Sequence, residues 1–243
     1  MRFLTFANRN SKEILRDPLN LAFGLGFPVV ILLLLTAIQA NIPVSLFEID
    51  RLAPGICIFG LSFMTLFSAT VISKDRGSSL LARLYTTPMR AADFMLGYAL
   101  PIAPIAVAQS IVCFLVALVL GLTPSVNIIY CVLFIVPISI FFISLGLLCG
   151  SIFNDKQVGG ICGALLTNLC AFLSGIWFDL ELVGGAFKKI AYALPFVHAV
   201  ELERTVFNGN FSEALPHLLW VLGYAVAALI AAIFCFLHQM KRK

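Results

Sequence analysis

The densest run of polar chemistry in the first half of the chain is residues 73–98, SKDRGSSLLARLYTTPMRAADFMLGY. It carries the cations Lys74, Arg76, Arg83 and Arg90 and the carboxylates Asp75 and Asp93, around an apolar set of Leu80, Leu81, Leu84 and Tyr85. That apolar set falls at i, i+1, i+4 and i+5, one face of a short helix, with Ser79 and Arg83 turned the other way. Pro88 stops or kinks the helix after Thr87. Side chains of these types at this spacing can bind but cannot break bonds, because no paired acids and no nucleophile–base couple stand among them. Such a helix either contacts a protein in the cytoplasm or lies as a solvated loop on lipid headgroups, and periodicity leaves both readings open.

Motifs for catalysis are missing elsewhere too. The sequence has no GxxxxGK[ST] phosphate loop, so the chain does not bind ATP in the usual way, and it has no HExxH or GxSxG. No His, Cys and Asp residues cluster at metal-ligand spacing, and His198, His217 and His238 stand apart as polar caps. The seven cysteines (Cys57, Cys113, Cys131, Cys149, Cys162, Cys170 and Cys235) all lie in apolar stretches with no CxxC, which suits small packing residues. These features predict a non-enzyme with no catalytic residue, no metal and no cofactor of its own.

The elements that must position these groups follow from composition. The 243 residues are 61% hydrophobic and 12% charged, with a mean hydropathy of +1.03. Soluble domains carry about a quarter charged residues. The apolar residues come in blocks of about 20, the length that crosses a hydrocarbon layer roughly 30 Å thick. The expectation is an all-α membrane protein of one domain, residues 1–243. The formal net charge of +4 is no nucleic-acid signal, since the basic residues sit at the ends of spans.

Residues 1–20 interleave Arg2, Arg9, Lys12 and Arg16 with Phe3, Leu4, Phe6, Ile14 and Leu15, the pattern of an amphipathic helix in the membrane interface, ended before Asp17-Pro18. Six spans are expected at residues 21–40, 52–73, 95–120, 126–153, 158–178 and 216–238. In the first, eight Val, Ile or Leu residues in 29–38 each favour insertion by about 0.3 to 0.6 kcal/mol. A signal peptide is the rival, as Ala37-Ile38-Gln39-Ala40 resembles a cleavage site, but the long charged region before it argues against removal. Pro101, Pro104 and Pro137 should bend spans three and four. With the N-terminus inside, twelve of the sixteen Lys and Arg fall on inner segments, leaving Arg51, Lys188, Lys189 and Arg204 outside. That bias places both termini in the cytoplasm of a multi-pass protein of the cell membrane.

By the same assignment every Lys, Arg, Asp and Glu falls in a loop or terminus, which weighs against a proton- or sodium-driven carrier. Between spans five and six, Leu182, Val183, Ala186, Phe187, Ile190, Ala191 and Leu194 form a helical stripe ended by Pro195. A second segment with Val197, Val200, Glu201 and Arg204 follows. Each piece is about 12 residues, roughly 18 Å, too short to cross, and the pair is expected to form a re-entrant helical hairpin in the outer leaflet. Gly146-xxx-Gly150 and Gly159-xxx-Gly163 allow close helix approach, within the chain or across a dimer.

Three stretches carry a resemblance. Lys74-Asp75-Arg76-Gly77-Ser78, with Leu84 and Thr87-Pro88-Met89-Arg90, resembles the signature after the second span of the permease subunit of an ATP-binding cassette exporter of the type-2 class. Ser174-Gly175-Ile176-Trp177-Phe178 resembles the segment closing that family's fifth span, and Leu194-Pro195-Phe196-Val197-His198-Ala199-Val200-Glu201 with Arg204 resembles its outer-loop signature. The likeness covers nearly the whole chain. It departs at Ser78, where threonine is usual, and at Tyr98 beside Gly97, where lysine is common. The resemblance implies a membrane subunit coupled to a separate cytoplasmic ATPase, which would bring ATP and Mg, and paired with a second permease chain, identical or paralogous. It implies ATPase coupling through Asp75, Arg76, Gly77, Leu80, Leu81, Arg83, Leu84, Tyr85, Pro88 and Arg90. It also implies an outer gate with Pro195, His198, Glu201 and Arg204. Thr167, Asn168 and Phe172 are expected on the substrate path, favouring a hydrophobic or amphipathic cargo such as a drug, lipid-like compound or peptide. The competing readings are a carrier without an ATPase and a membrane protein that sequesters a toxin or peptide.

Overall fold

A computed structural model of the chain describes residues 2–78, 80 and 89–241. Among these every regular element is helical, and six helices are long and apolar enough to cross a membrane: Ala22–Gln39, Ile49–Gly77, Ala91–Val119, Asn127–Ile152, Asp155–Leu173 and Phe211–His238. They are spans 1 to 6. An N-terminal helix, Arg2–Leu15, precedes them, and the short helices Leu180–Val183, Gly185–Ala193 and Pro195–Phe207 stand between spans 5 and 6. Most of the helix expected at 79–87, with Leu81, Arg83, Leu84, Tyr85 and Pro88, lies outside the described residues.

Span 2 is the axis of the bundle. It is apolar all round and buried from Leu52 to Thr65 without a break, as a helix with no polar face must be. Small residues let its neighbours in. Span 4 lies so close that a Cβ on Gly146 would sit 2.4 Å from the Thr65 carbonyl oxygen, and one on Gly150 2.7 Å from that of Ala69. Thr65 Oγ1 donates to the Phe142 carbonyl at 2.9 Å across the same seam. The Gly146-xxx-Gly150 pattern therefore serves packing within the chain. In span 5, a Cβ on Gly159 would meet nothing within 4 Å, and one on Gly163 would make only an ordinary 3.5 Å contact with Leu66.

Proline acts where sterics demand. Span 3 breaks into Ala91–Ala99 and Ala103–Val119 around Pro101, which has no N–H to give and crowds the preceding turn. Pro104 falls in the first turn of the second piece, where a missing N–H costs nothing. Pro137, by contrast, lies inside the unbroken helix Asn127–Ile152. Span 5 ends at Leu173, short of the expected 178, where Gly175 takes φ +72°. The last helix begins at Phe211, with Pro216 within it.

The region between spans 5 and 6 differs most from expectation. Its apolar stripe is cut in two because Gly184 and Gly185 adopt φ of +61° and +58°, the left-handed region that favours glycine. Leu182 (80% exposed) and Ile190 (54%) then point away from the chain. The following helix, Pro195–Phe207, is no surface element: all of its residues except Glu201 and Thr205 are buried, against spans 2, 4 and 6.

Candidate functional sites

At one end of the bundle the N-terminal helix docks on span 3. Its buried residues Phe6, Ala7, Asn10 and Ile14 recur at helical spacing. The Phe6 ring sits edge-on to Tyr98 (4.9 Å between centroids) and Phe94 (5.7 Å). Gly97 makes this possible, since a Cβ there would stand 2.3 Å from the Phe6 ring. Asn10 Nδ2 donates to the Gly97 carbonyl at 2.9 Å. Beside this contact lies Asp75, whose buried carboxylate accepts from Arg9 Nη1 (2.6 Å), Arg9 Nη2 (2.9 Å) and the Tyr98 hydroxyl (2.9 Å). The bidentate Arg9–Asp75 pair joins the N-terminal helix to the last turn of span 2, and Tyr98 joins both to span 3. Arg76 reaches the other way and caps span 4, donating Nη1 to the carbonyls of Gly150 (2.6 Å) and Phe153 (3.1 Å). The end of span 2, from which residues 79–88 depart, is thus tied to three other elements.

Along the side of the bundle runs a groove of about 720 Å³ between spans 1, 2 and 5. Phe23 and Phe27 of span 1, Phe59 and Phe63 of span 2, and Phe172 and Trp177 supply six aromatic rings to its wall. Asn20, Thr167 and Asn168 are the polar residues among its lining, which includes no charged side chain. Two stretches of wider, π-type winding, Ala22–Gly26 and Gly159–Leu166, border it from opposite sides. Thr167 Oγ1 donates to the Cys162 carbonyl (3.1 Å) and Asn168 Nδ2 to that of Ala164 (2.8 Å), so both side chains are satisfied on their own helix. Phe172 is half exposed and tilted towards Phe178.

At the opposite end the Pro195–Phe207 helix is pinned by polar side chains. Arg204 is 7% exposed and donates to Glu201 Oε1 (2.9 Å), the Gly175 carbonyl (3.1 Å) and the Arg51 carbonyl (3.3 Å). Burial works against its charge, and Glu201 works to keep it. His198 bonds through Nε2 to the Tyr192 carbonyl at 3.0 Å and through Nδ1 to His217 Nδ1 at 2.8 Å. A carbonyl only accepts, so Nε2 of His198 carries a proton toward Tyr192, and one of the two facing Nδ1 atoms donates to the other. The His198 ring also stacks on Trp220, 5.0 Å between centroids and 5° from parallel. Pro195 opens the helix at its first turn.

Glu203 is a buried acid on the same helix. It is 0% exposed, packed with its helix among the spans, and neither carboxylate oxygen has a hydrogen-bond partner among the described residues. Burial pushes its carboxyl well above the usual carboxylate range, with only the thiol of Cys131 acting the other way. Glu203 thus lies in the connection between spans 5 and 6, and that connection is buried rather than solvent-facing. The short helix that carries Glu203 reads as polar in sequence, with Glu201, Glu203 and Arg204 in one turn, but it folds into the core.

A family model described as ABC-2 type transporter matches residues 1–208. The chain belongs to the ABC-2 type transporter family. No match to a curated protein is found. The match makes the chain the membrane subunit of an ABC transporter, a family whose membrane domain carries no nucleotide-binding domain and works with an ATP-binding partner.

Within this ABC-2 fold the predicted positions fall into three groups. Asp75, Arg76, Gly77, Leu80 and Arg90 lie at the end of span 2 and the start of span 3, Asp75 buried and Arg90 exposed. Arg90 opens span 3, its backbone N–H donating to Asp93 Oδ2 at 2.9 Å. Thr167, Asn168 and Phe172 share one groove. Pro195, His198, Glu201 and Arg204 share one helix; Arg204 bonds to Glu201, and His198 to His217 and the Tyr192 carbonyl. The sequence reading missed Arg9 and Tyr98 as partners of Asp75, His217 as partner of His198, and Glu203. Opposite charge on Arg9 and Asp75 was a usable signal, but 66 residues separate them and only the tertiary fold joins them.

Proposed function

We propose that this subunit, with a second permease chain, forms the pathway of an ATP-driven exporter for a hydrophobic or amphipathic substrate, worked by a separate cytoplasmic ABC ATPase. The observation that carries the substrate class is the groove between spans 1, 2 and 5: six aromatic rings and no charged side chain in its lining would welcome apolar surface and leave a charged cargo unpaired. Thr167, Asn168 and Phe172 are its path residues in this reading. The partner supplies ATP and Mg. Both termini, and the Asp75 end of the bundle, face the cytoplasm of the cell membrane, as the bias of Lys and Arg indicates. Leu80, Leu81, Leu84 and Tyr85 would be the apolar face that the ATPase presses, with Arg83 and Arg90 as its polar partners and Pro88 ending the element. Asp75, Arg76 and Gly77 would fix it to the bundle. ATP then shifts an inward-open to outward-open equilibrium by favouring one state, and the Pro195–Phe207 helix with the short helices before it serves as the outer gate, a re-entrant hairpin.

The test is a mild-detergent pull-down of the tagged chain from its native membrane, followed by an ATPase assay on the eluate. The expected result is a co-purifying nucleotide-binding subunit that is lost from the Leu84→Asp variant at equal membrane abundance, with export lost alongside it. A chain that elutes with no ATPase in several detergents overturns the coupling and leaves a carrier or a sequestering protein.

A further inference from the structure

A carboxyl group with no exposure and no hydrogen-bond partner has two ways to exist. As a carboxylate it forfeits its hydration against nothing stronger than the neighbouring Cys131 thiol, a cost that buried charges meet only when paired. As a neutral acid at pH 7 it must hold its proton well above the ordinary glutamate range, a shift that burial alone can produce. The neutral form is the less costly one for Glu203.

Its surroundings agree. Arg204, the adjacent cation, is turned away and is committed to Glu201, Gly175 and Arg51. The titratable side chains within electrostatic reach are Cys57 of span 2 and Cys131 of span 4, both buried thiols with no charge to offer. The Cys131 thiol donates instead to the Glu203 backbone carbonyl at 3.7 Å, and that of Cys57 to the Ser110 carbonyl at 4.0 Å. Glu203 also sits on the one short helix that is packed among the spans, beside Phe196 and Phe207 on the same buried face.

We propose that Glu203 is a proton-binding site inside the bundle, which holds its proton while the Pro195–Phe207 helix is packed and releases it to water when that helix leaves. On release the carboxyl O–H bond breaks, the proton passes to water, and the carboxylate remains on Glu203; repacking reverses the step. No ATPase and no substrate enter this balance, so the site stands or falls apart from the proposed export.

The experiment uses the full chain in lipid nanodiscs. Infrared spectra are recorded through a pH titration, with Glu203→Gln to assign the band, alongside thermal unfolding of both proteins. The wild type is expected to show a protonated-carboxyl band at neutral pH that the variant lacks. Its folded carboxyl binds a proton more tightly than the unfolded one, so its melting temperature should fall relative to that of Glu203→Gln, which needs no proton, as pH rises from about 5 to about 8. The wild-type titration of the band is read without any variant, and Glu203→Leu replaces Glu203→Gln if that protein does not fold. A carboxylate band alone at neutral pH, or parallel melting profiles for wild type and variant, overturns the proposal by showing an ionised, solvated side chain.

Discussion

Asp75 concentrates the residue-scale logic of this protein. Its side chain is 3% exposed yet accepts three bonds, two from Arg9 and one from Tyr98. The Tyr98 phenol supplies a donor without a charge, and Arg9 supplies the cation. The two partners should thus differ in weight. Tyr98→Phe removes one neutral donor and is expected to cost about 1 kcal/mol, because Asp75 keeps its bidentate partner. Asp75→Asn leaves Arg9 without its charged acceptor at a buried junction and is expected to cost about 2–3 kcal/mol, part of it recovered because Arg9 is 40% exposed and also meets Glu13 at 2.7 Å. Thermal unfolding of the two variants in the same lipid decides the order; equal losses would show that Tyr98, not Arg9, holds the carboxylate.

Elements pack here by omission of side chains, and the sequence shows the omission without its direction. Gly146-xxx-Gly150 and Gly159-xxx-Gly163 look alike in the chain, yet only the first pair abuts a backbone. Spacing encodes which face of a helix is flat, whereas the neighbour on that face is chosen by the whole bundle. The same limit explains the Pro195–Phe207 helix. Its period and its proline start were legible, but a polar turn gives no sign that Arg204 will find carbonyls at Gly175 and Arg51, and without those partners it reads as exposed. Six apolar blocks, and a disturbance of span 3 at Pro101, were legible because each follows from local sterics or hydrophobicity. Gly146→Ala should therefore cost about 1–3 kcal/mol, the overpacking penalty against the Thr65 backbone, even after the small intrinsic gain of alanine in a helix. Gly159→Ala, with open space at its Cβ, should be neutral or slightly stabilising. A loss on Gly159→Ala as large as on Gly146→Ala would mean that the outer face of span 5 is covered in the assembled transporter.

For the whole molecule, the proposed function depends on which end of the bundle faces the cytoplasm. The end bearing Arg9, Lys74, Arg76, Arg90 and Lys156 is the cation-rich one, which the positive-inside rule would keep inside, whereas the far end holds Arg51, Lys188, Lys189 and Arg204. Two of these four are already committed, Arg51 to Asp179 at 3.6 Å and Arg204 within the core. Lys188 pairs with Glu181 across the Gly184–Gly185 bend, so Lys189 is the far-end cation with no salt-bridge partner among the described residues. The near end carries the larger share of Lys and Arg, and their number rather than net charge sets the expected topology. Cysteine labelling tests it against a quiet background, because the native cysteines are buried apart from a half-buried Cys235. In intact cells a membrane-impermeant maleimide should modify Leu182→Cys, whose position is 80% exposed, and should reach Lys156→Cys only after the membrane is opened. The reverse pattern would put the Asp75 junction and residues 79–88 outside the cell, where no ATPase could press on them, and the coupling role of that whole end would be lost.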